Sequence, residues 1–173
     1  MVRKLKNVEL NRLSVDEFKQ KDKNPLIIVL DNIRSMHNVG SIFRTGDSLL
    51  VEGIYLCGIT GQPPHKEIRK TALGADESVH WEYFTETVEA VDKLKQEGYI
   101  LLGLEQAENS IDIRDYILDN TKKYALILGN EVEGVDADVL KHCDAILEIP
   151  QYGTKHSFNV SVSAGIAMWE LLN

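Results

Sequence analysis

The chain has 173 residues, of which 43% are hydrophobic and 27% are charged, and its formal net charge is −8. This length and composition are typical of one soluble globular domain with a proper core. The negative net charge excludes a protein that attracts nucleic acid by its overall charge, and the longest aliphatic run, residues 26–30, is far too short to span a bilayer.

Residues 1–24 are predicted to be a basic arm appended to a domain that spans 25–173. The arm carries seven lysines and arginines against four acidic residues. It lacks the apolar core of a signal peptide, and Cys57 and Cys143 lack the spacing of metal ligands, so we expect buried free thiols in a cytoplasmic protein. The basic charge is as consistent with a solvated surface as with contacts to phosphate, and the same holds for the basic cluster at 65–70.

Six apolar runs rich in Ile, Val and Leu predict β-strands along the chain. Several are hydrophobic on both faces, which is typical of strands inside a parallel sheet. Helical segments alternate with them, and this alternation predicts an α/β fold with a parallel-sheet sandwich in a single domain. The predicted strands are residues 25–31, 53–58, 78–83, 99–106, 124–129 and 145–150.

Four helices are predicted between and after these strands. Polar residues that can accept from backbone N–H groups mark the starts, and a glycine marks one end. The predicted helices are 38–50 with Asn38 as N-cap, 85–97 closed by Gly98, 136–142 with Asp136 as N-cap, and a mostly apolar segment, 157–172.

Several familiar site patterns are missing from the sequence. No glycine-rich dinucleotide fingerprint follows the first strand, which disfavours a nicotinamide oxidoreductase. Gly129 and Gly134 have the spacing of a phosphate-binding loop but lack the Lys-Ser/Thr that must follow. No serine-nucleophile or zinc-protease motif is present and the histidines are scattered, so no metal site is predicted.

A first polar cluster holds Asn38, Gly40, Ser41 and Arg44. A cation near the positive end of a helix dipole is unfavourable, so Arg44 predicts an anion nearby. Helix N–H groups and the guanidinium would together seat a phosphate, and the missing side chain of Gly40 would let a ligand backbone come close. The alternative is an ion pair between Arg44 and Asp47, and the residues alone leave both open.

Two more polar clusters follow predicted strands, at the strand ends where parallel sheets bind ligands. Gly129, Asn130 and Glu131 form one, and a plain turn is the alternative there. Residues 152–159, YGTKHSFN, form the other, where Ser157 could serve only as the N-cap of the last helix.

The three clusters together are more specific than any one of them. NVGSIFRT, LILGNEVEGV and EIPQYGTKHSFNVSVSA, in this order, resemble the three signature motifs of the SpoU (TrmH) family of RNA ribose 2′-O-methyltransferases. The match covers residues 25–172, with Phe158 where the family usually has leucine. GYILLGLEQAENSIDI is similar to the catalytic domains of eukaryotic tRNA guanosine-18 ribose methyltransferases.

The resemblance implies a SPOUT-like fold with a C-terminal trefoil knot, S-adenosylmethionine as cofactor, and in-line methyl transfer to an RNA ribose 2′-hydroxyl. The favoured substrate is tRNA, of the guanosine-18 type, with rRNA as the alternative. A catalytically inactive RNA-binding module of the same fold is the rival interpretation. A homodimer is also implied, through the small-residue face of the last helix, although that face could instead pack on the chain's own sheet. Its members are Ser157, Ser161, Ala164, Gly165 and Met168.

Eleven residues are expected to form the site. The motifs place Gly129, Ile149 and Phe158 around the cofactor, and position at strand ends adds Leu104, Glu105 and Gln151. The expected catalytic residues are Asn38, Arg44, Glu131, Ser157 and Asn159.

Arg44 matches the motif arginine that is proposed as the base in the family. Because arginine keeps its proton in nearly all proteins, we expect it to clamp a phosphate instead, with RNA phosphate or water receiving the proton. Asn38 and Asn159 are expected to position the substrate by hydrogen bonds. Glu131 would orient Arg44 or the loops, and Ser157 would touch ribose or phosphate.

Overall fold

Seven parallel strands form one sheet through the middle of the molecule in the computed structural model, which describes residues 2–173. The predicted α/β fold is confirmed, as one domain. The strands are β1 (Asn24–Asp31), β2 (Val51–Cys57), β3 (Trp81–Phe84), β4 (Tyr99–Leu104), β5 (Ile111–Asp112), β6 (Lys123–Leu128) and β7 (Ala145–Glu148). Their order across the sheet is β3-β2-β1-β6-β4-β7-β5.

Helices cover both faces of this sheet, as a parallel sheet requires. They are α1 (Val15–Gln20), α2 (Met36–Ser48), α3 (Lys66–Ala72), α4 (Ala75–Ser78), α5 (Thr87–Gln96), α6 (Ala137–Leu140) and α7 (Val160–Leu172), with 3-10 turns at Asn7–Glu9 and Ile113–Asp115.

The inner strand β1 shows why its sequence is apolar on both faces. Leu26, Ile28 and Leu30 belong to the core cluster that includes residues of α2 and α7. Ile27 and Val29 belong to the second cluster, beneath α5. Successive side chains of a strand point to opposite faces, so both layers of helices are anchored on one strand.

Several predicted boundaries were wrong. Ser35, not Asn38, is the N-cap of α2, and its hydroxyl accepts from the Asn38 N–H at 3.3 Å. Asn159, not Ser157, caps α7 by accepting from the Ser161 N–H at 3.0 Å. Residue 78 ends helix α4 instead of starting a strand, and the short β5 was not predicted. The trefoil knot stays a prediction.

Gly40 serves the packing of α2 on α3. A Cβ at Gly40 would lie 2.2 Å from the Ile68 carbonyl oxygen and 2.2 Å from Thr71 Oγ1. The close approach predicted for a ligand is therefore made by another helix of the same chain.

The small-residue face of the last helix is only partly covered by the chain itself. Ala164 and Met168 are fully buried in the chain's own core, as the alternative interpretation expects, whereas Ser161 and Gly165 are half-buried and Ser157 is exposed. A different side of α7 is open to solvent, where Val162, Ile166 and Trp169 are 49%, 37% and 60% exposed. Their spacing of four and three places them on one helix face.

Part of the predicted basic arm is docked on the domain. Phe18 of α1 is buried in the main core, and Lys23 Nζ lies 4.4 Å from the centre of its ring.

Cys57 is fully buried and Cys143 is half-buried, and burial raises their pKa values to about 12 and about 11. Both thiols therefore stay protonated at neutral pH. Along residues 2–173, no helix has the length and apolar character needed to cross a bilayer.

Candidate active site

The candidate site lies where the carboxyl ends of β1, β6, β4 and β7 meet. β2 and β3 lie on one side of β1, and the later strands lie on its other side, beginning with β6. The direction in which the chain adds strands to the sheet therefore reverses between β1 and β6. Ligands of open parallel sheets bind at such reversal points. The loops that start there are residues 32–35, 129–136, 105–110 and 149–159.

A cavity of about 520 Å³ lies between the loops after β4, β6 and β7. Its volume falls in the range of small-molecule sites. Three of the predicted catalytic residues, Glu131, Ser157 and Asn159, lie on its wall. So do all six residues predicted to bind the cofactor, namely Leu104, Glu105, Gly129, Ile149, Gln151 and Phe158.

Asn38, Glu131 and Asn159 are joined by hydrogen bonds. Asn38 Nδ2 donates to Glu131 Oε1 at 3.1 Å, and Asn159 Nδ2 donates to Asn38 Oδ1 at 3.2 Å. The structure therefore brings together one polar side chain from each of the three distant motif stretches.

Glu131 ties its loop to the start of α2. Its carboxylate accepts from the backbone N–H groups of Arg34 at 3.0 Å and Ser35 at 3.1 Å. Partial burial raises the pKa of Glu131, but these backbone donors and Asn38 outweigh it and hold the pKa below the ordinary value of 4.5. The carboxylate is ionised at neutral pH, and it contacts α2 and its loop rather than Arg44.

The loop at 129–136 is both a turn and a cavity wall. Asn130 and Gly134 pair with each other through backbone hydrogen bonds of 2.9 Å, so the predicted turn is present. A Cβ at Gly129 would lie 2.0 Å from the Gly134 carbonyl carbon and 2.0 Å from the Val135 nitrogen. Glycine is needed at 129 because the two ends of the loop touch there.

Asp31 was not singled out in the sequence, yet it anchors the far end of this loop. It is buried at the end of β1, where Oδ2 accepts from the Asp136 N–H at 2.8 Å. Oδ1 accepts from Thr87 Oγ1 at 2.5 Å and from Asn32 Nδ2 at 2.9 Å. The available signal was a carboxyl group at the end of an otherwise apolar strand, because a buried polar side chain needs hydrogen-bond partners.

Arg44 is not brought into the cavity of its own chain. It is exposed on α2, and no hydrogen bond or ion pair of its guanidinium is found among residues 2–173. The predicted alternative partner, Asp47, instead accepts from Ser78 Oγ at 2.5 Å. Six residues along a helix turn the side chain by about 120° relative to Asn38, so Arg44 faces away from the Glu131 network.

Comparison with known proteins identifies relatives of the whole domain. The model of the SpoU rRNA Methylase family matches residues 25–169. A protein of Staphylococcus haemolyticus that carries the name TrmH family tRNA/rRNA methyltransferase is 34% identical over 160 residues, which are 90% of this chain and 63% of that protein. The chain thus spans less than two thirds of the length of such curated relatives.

Solved structures share the fold. The TrmH/SpoU tRNA modifying enzyme of A. aeolicus superposes with a TM-score of 0.79 at 27% identity, covering 91% of this chain and 80% of that one. The AdoMet-bound rRNA methyltransferase of Sinorhizobium meliloti gives a TM-score of 0.79 at 26% identity, covering 88% of this chain and 58% of that one. The motif order, the parallel sheet and the match over residues 25–169 agree, and the chain belongs to the SpoU (TrmH) methylase family.

Proposed function

We propose that this protein transfers a methyl group from S-adenosylmethionine to a ribose 2′-hydroxyl of RNA. The observation that carries the proposal is the hydrogen-bonded set of Asn38, Glu131 and Asn159 beside a cavity of about 520 Å³. Polar groups from distant parts of a chain that meet at a cavity are the mark of a reaction site.

The cavity suits S-adenosylmethionine by lining and by charge. Adenine needs an apolar slot with backbone hydrogen bonds, and strand-end loops with Leu104, Ile149 and Phe158 offer both. The cofactor's sulfonium and ammonium are cationic, and the wall carries the carboxylates of Glu131 and Glu133. We propose cofactor contacts at Leu104, Gly129, Ile149, Gln151 and Phe158.

When bound there, the cofactor supplies a methyl group that its sulfonium already activates. The chain's own tasks are to align the ribose hydroxyl and to allow its proton to leave. The amides of Asn38 and Asn159 can position the hydroxyl, because each has hydrogen-bonding capacity beyond its mutual contact. Ser157 is proposed to contact ribose or phosphate, and its position on the cavity wall supports this role.

Arg44 is proposed to clamp the RNA phosphate beside the reacting ribose. Arginine carries a positive charge in nearly all proteins, so this residue type suits an anion better than the role of a base. Because Arg44 points away from its own chain's cavity, a second copy has to bring it to the site. We infer a homodimer through α7, supported by the exposed apolar side at Val162, Ile166 and Trp169.

The proposed substrate is tRNA, of the guanosine-18 type, and the support is the LEQAENS stretch after β4. Ribosomal RNA is the second candidate, favoured by the description of the matching family.

The test is transfer of labelled methyl from S-adenosylmethionine by the purified protein to tRNA and to rRNA in parallel. Mass spectrometry of the nucleosides then identifies the modified ribose. We expect a 2′-O-methylnucleoside from tRNA. Cofactor and RNA binding without transfer would indicate the inactive module, and no cofactor binding by calorimetry would contradict the proposal.

A further inference from the structure

Two neighbouring side chains at the end of β4 hold the two loops that face each other across the cavity. They are Glu105 and Gln106, in the LEQAENS stretch. The Glu105 N–H donates to the Leu147 carbonyl at 2.9 Å, so the backbone of this pair is fixed to β7. Side chains on a backbone that is held in this way can fix neighbouring loops in position through hydrogen bonds.

Glu105 holds the loop at 129–136. Its Oε2 accepts from the Val135 N–H at 3.0 Å, and its Oε1 accepts from the Gln106 N–H at 2.9 Å. Gly134 has a φ of +74°, and a Cβ there would lie 2.1 Å from Oε2. The Glu105 carboxylate therefore occupies the space that a side chain at residue 134 would need. Both carboxylate oxygens are thus already engaged by the chain's own backbone.

Gln106 holds the opposite loop. Its Nε2 donates to the His156 carbonyl at 2.8 Å. Residues 150–158 form neither helix nor strand, and 152–158 are exposed. Among residues 2–173 this is the one hydrogen bond to the backbone of 152–158, so Gln106 is the side chain that fixes this backbone by a hydrogen bond.

We propose that Glu105 and Gln106 are paired positioning residues that set the separation of the two cavity loops. The proposal deepens the proposed function and rests on it only for the identity of the ligand between the loops. Glu105, which the sequence assigned to cofactor contact, acts instead through the loop at 129–136. Changing either residue should therefore alter its loop in the protein without any ligand.

Glu105→Gln tests the first half. Glutamine keeps the size but has one acceptor oxygen, and its amide N–H₂ would face a backbone N–H. We expect backbone amide hydrogen exchange at 130–136 to become about tenfold faster in the free protein, since a hydrogen bond to a charged acceptor is lost. Glu108→Gln is the matched control, because Glu108 is exposed in the same β4–β5 loop and makes no hydrogen bond or ion pair among residues 2–173.

Gln106→Glu tests the second half, since a carboxylate cannot donate to the His156 carbonyl. Lys155 lies in the held segment, so trypsin cleavage after it reports local opening. We expect cleavage about threefold or more faster than in the parent protein. Exchange at 130–136 should stay unchanged in this variant.

Calorimetry with S-adenosylmethionine completes the test. We expect Glu105→Gln to weaken binding about tenfold, in step with its faster exchange, and Glu108→Gln to leave the affinity unchanged. Weaker binding by Glu105→Gln with parent-like exchange would mean direct contact and would overturn the positioning role. Parent-like cleavage of Gln106→Glu at Lys155 would overturn the second half. If the parent protein binds no S-adenosylmethionine while both loops still loosen in the variants, the proposed function fails and the positioning role stands.

Discussion

Asn38 is the side chain at which the three motif stretches meet, since it donates to Glu131 and accepts from Asn159. Asn38→Asp removes the donor and places a second carboxylate beside Glu131. We expect methyl transfer to fall about 10- to 100-fold or more, because one hydrogen bond to a charged group is lost and a repulsion is added. Initial rates measure this, with circular dichroism to verify folding. Ser48→Ala on the same helix is the control, because among residues 2–173 its hydroxyl bonds only to the Arg44 carbonyl.

The proposed role of Arg44 in methyl transfer can be tested separately from cofactor binding. Arg44→Ala should abolish methyl transfer yet leave S-adenosylmethionine binding largely intact, since the exposed guanidinium does not line the cavity. Arg44→Lys should recover only part of the activity, because an ammonium cannot bind a phosphate through two parallel hydrogen bonds. Rates and calorimetry on the same preparations decide the matter. Loss of both activities in Arg44→Ala would contradict the clamp.

Glu131 is expected to make the stability of the folded protein depend on pH in the acidic range. Its pKa in the folded chain lies below the ordinary value of 4.5, so the ionised carboxylate stabilises the fold above that value. This contribution is lost as the pH falls through the lower, folded pKa. We expect the melting temperature of the parent protein to drop more between about pH 5 and 3 than that of Glu131→Gln. If the melting temperatures of the two proteins fall equally over this pH range, Glu131 is not the source of the acid sensitivity.

At the scale of elements, two mid-helix glycines offer a matched pair. Gly40→Ala would press a methyl group into the backbone of α3, and we expect a loss of about 1–3 kcal/mol in the free energy of unfolding. For Gly165→Ala on α7 the nearest atom is Thr45 Cγ2 at 4.0 Å. That change should stabilise by up to about 1 kcal/mol, because alanine favours helix. Urea denaturation measures both, and equal effects would contradict the packing role of Gly40.

The elements also show where local signals reach their limit. Both Ser35 and Asn38 are good N-cap residues, so local propensity allows either start for α2. The helix begins after Ser35, and the Arg34 and Ser35 N–H groups are satisfied by Glu131, which lies 97 and 96 residues away. This frees the Asn38 side chain for the site, and no short-range pattern contains that information.

For the whole molecule, the central prediction is dimerisation through α7. Trp169 is 60% exposed, so Trp169→Glu can be made without opening the core. We expect light scattering to give twice the chain mass for the parent protein and a single chain for the variant, since a buried charge disrupts an apolar interface. Glu170→Lys, which changes an exposed neighbour on the helix, should leave the mass unchanged. A monomeric parent protein would remove the route by which Arg44 reaches a cavity.

Much of this molecule was predictable because the signals are local. Apolar runs, several of them hydrophobic on both faces, located six of the seven strands, and the missed one, β5, has two residues. The same runs defined the strand-end loops, which gave three of the six residues expected at the cofactor. The motif resemblance gave the other three, and all six lie on one cavity wall. Asp31 and the task of Glu105 were not foreseen, because each acts through one hydrogen bond to a loop distant in the chain.

The sequence by itself determined the parallel sheet, the motif residues and the family, since alternation of apolar residues and motif spacing are properties of short segments. Only the tertiary structure decided which loops touch, where the small-residue face of α7 packs, and that Arg44 turns away from Glu131. These outcomes depend on the strand order and on contacts between Asn38, Glu131 and Asn159 across 93 and 121 residues. Such contacts form only when the packing of the whole core brings the strand ends together.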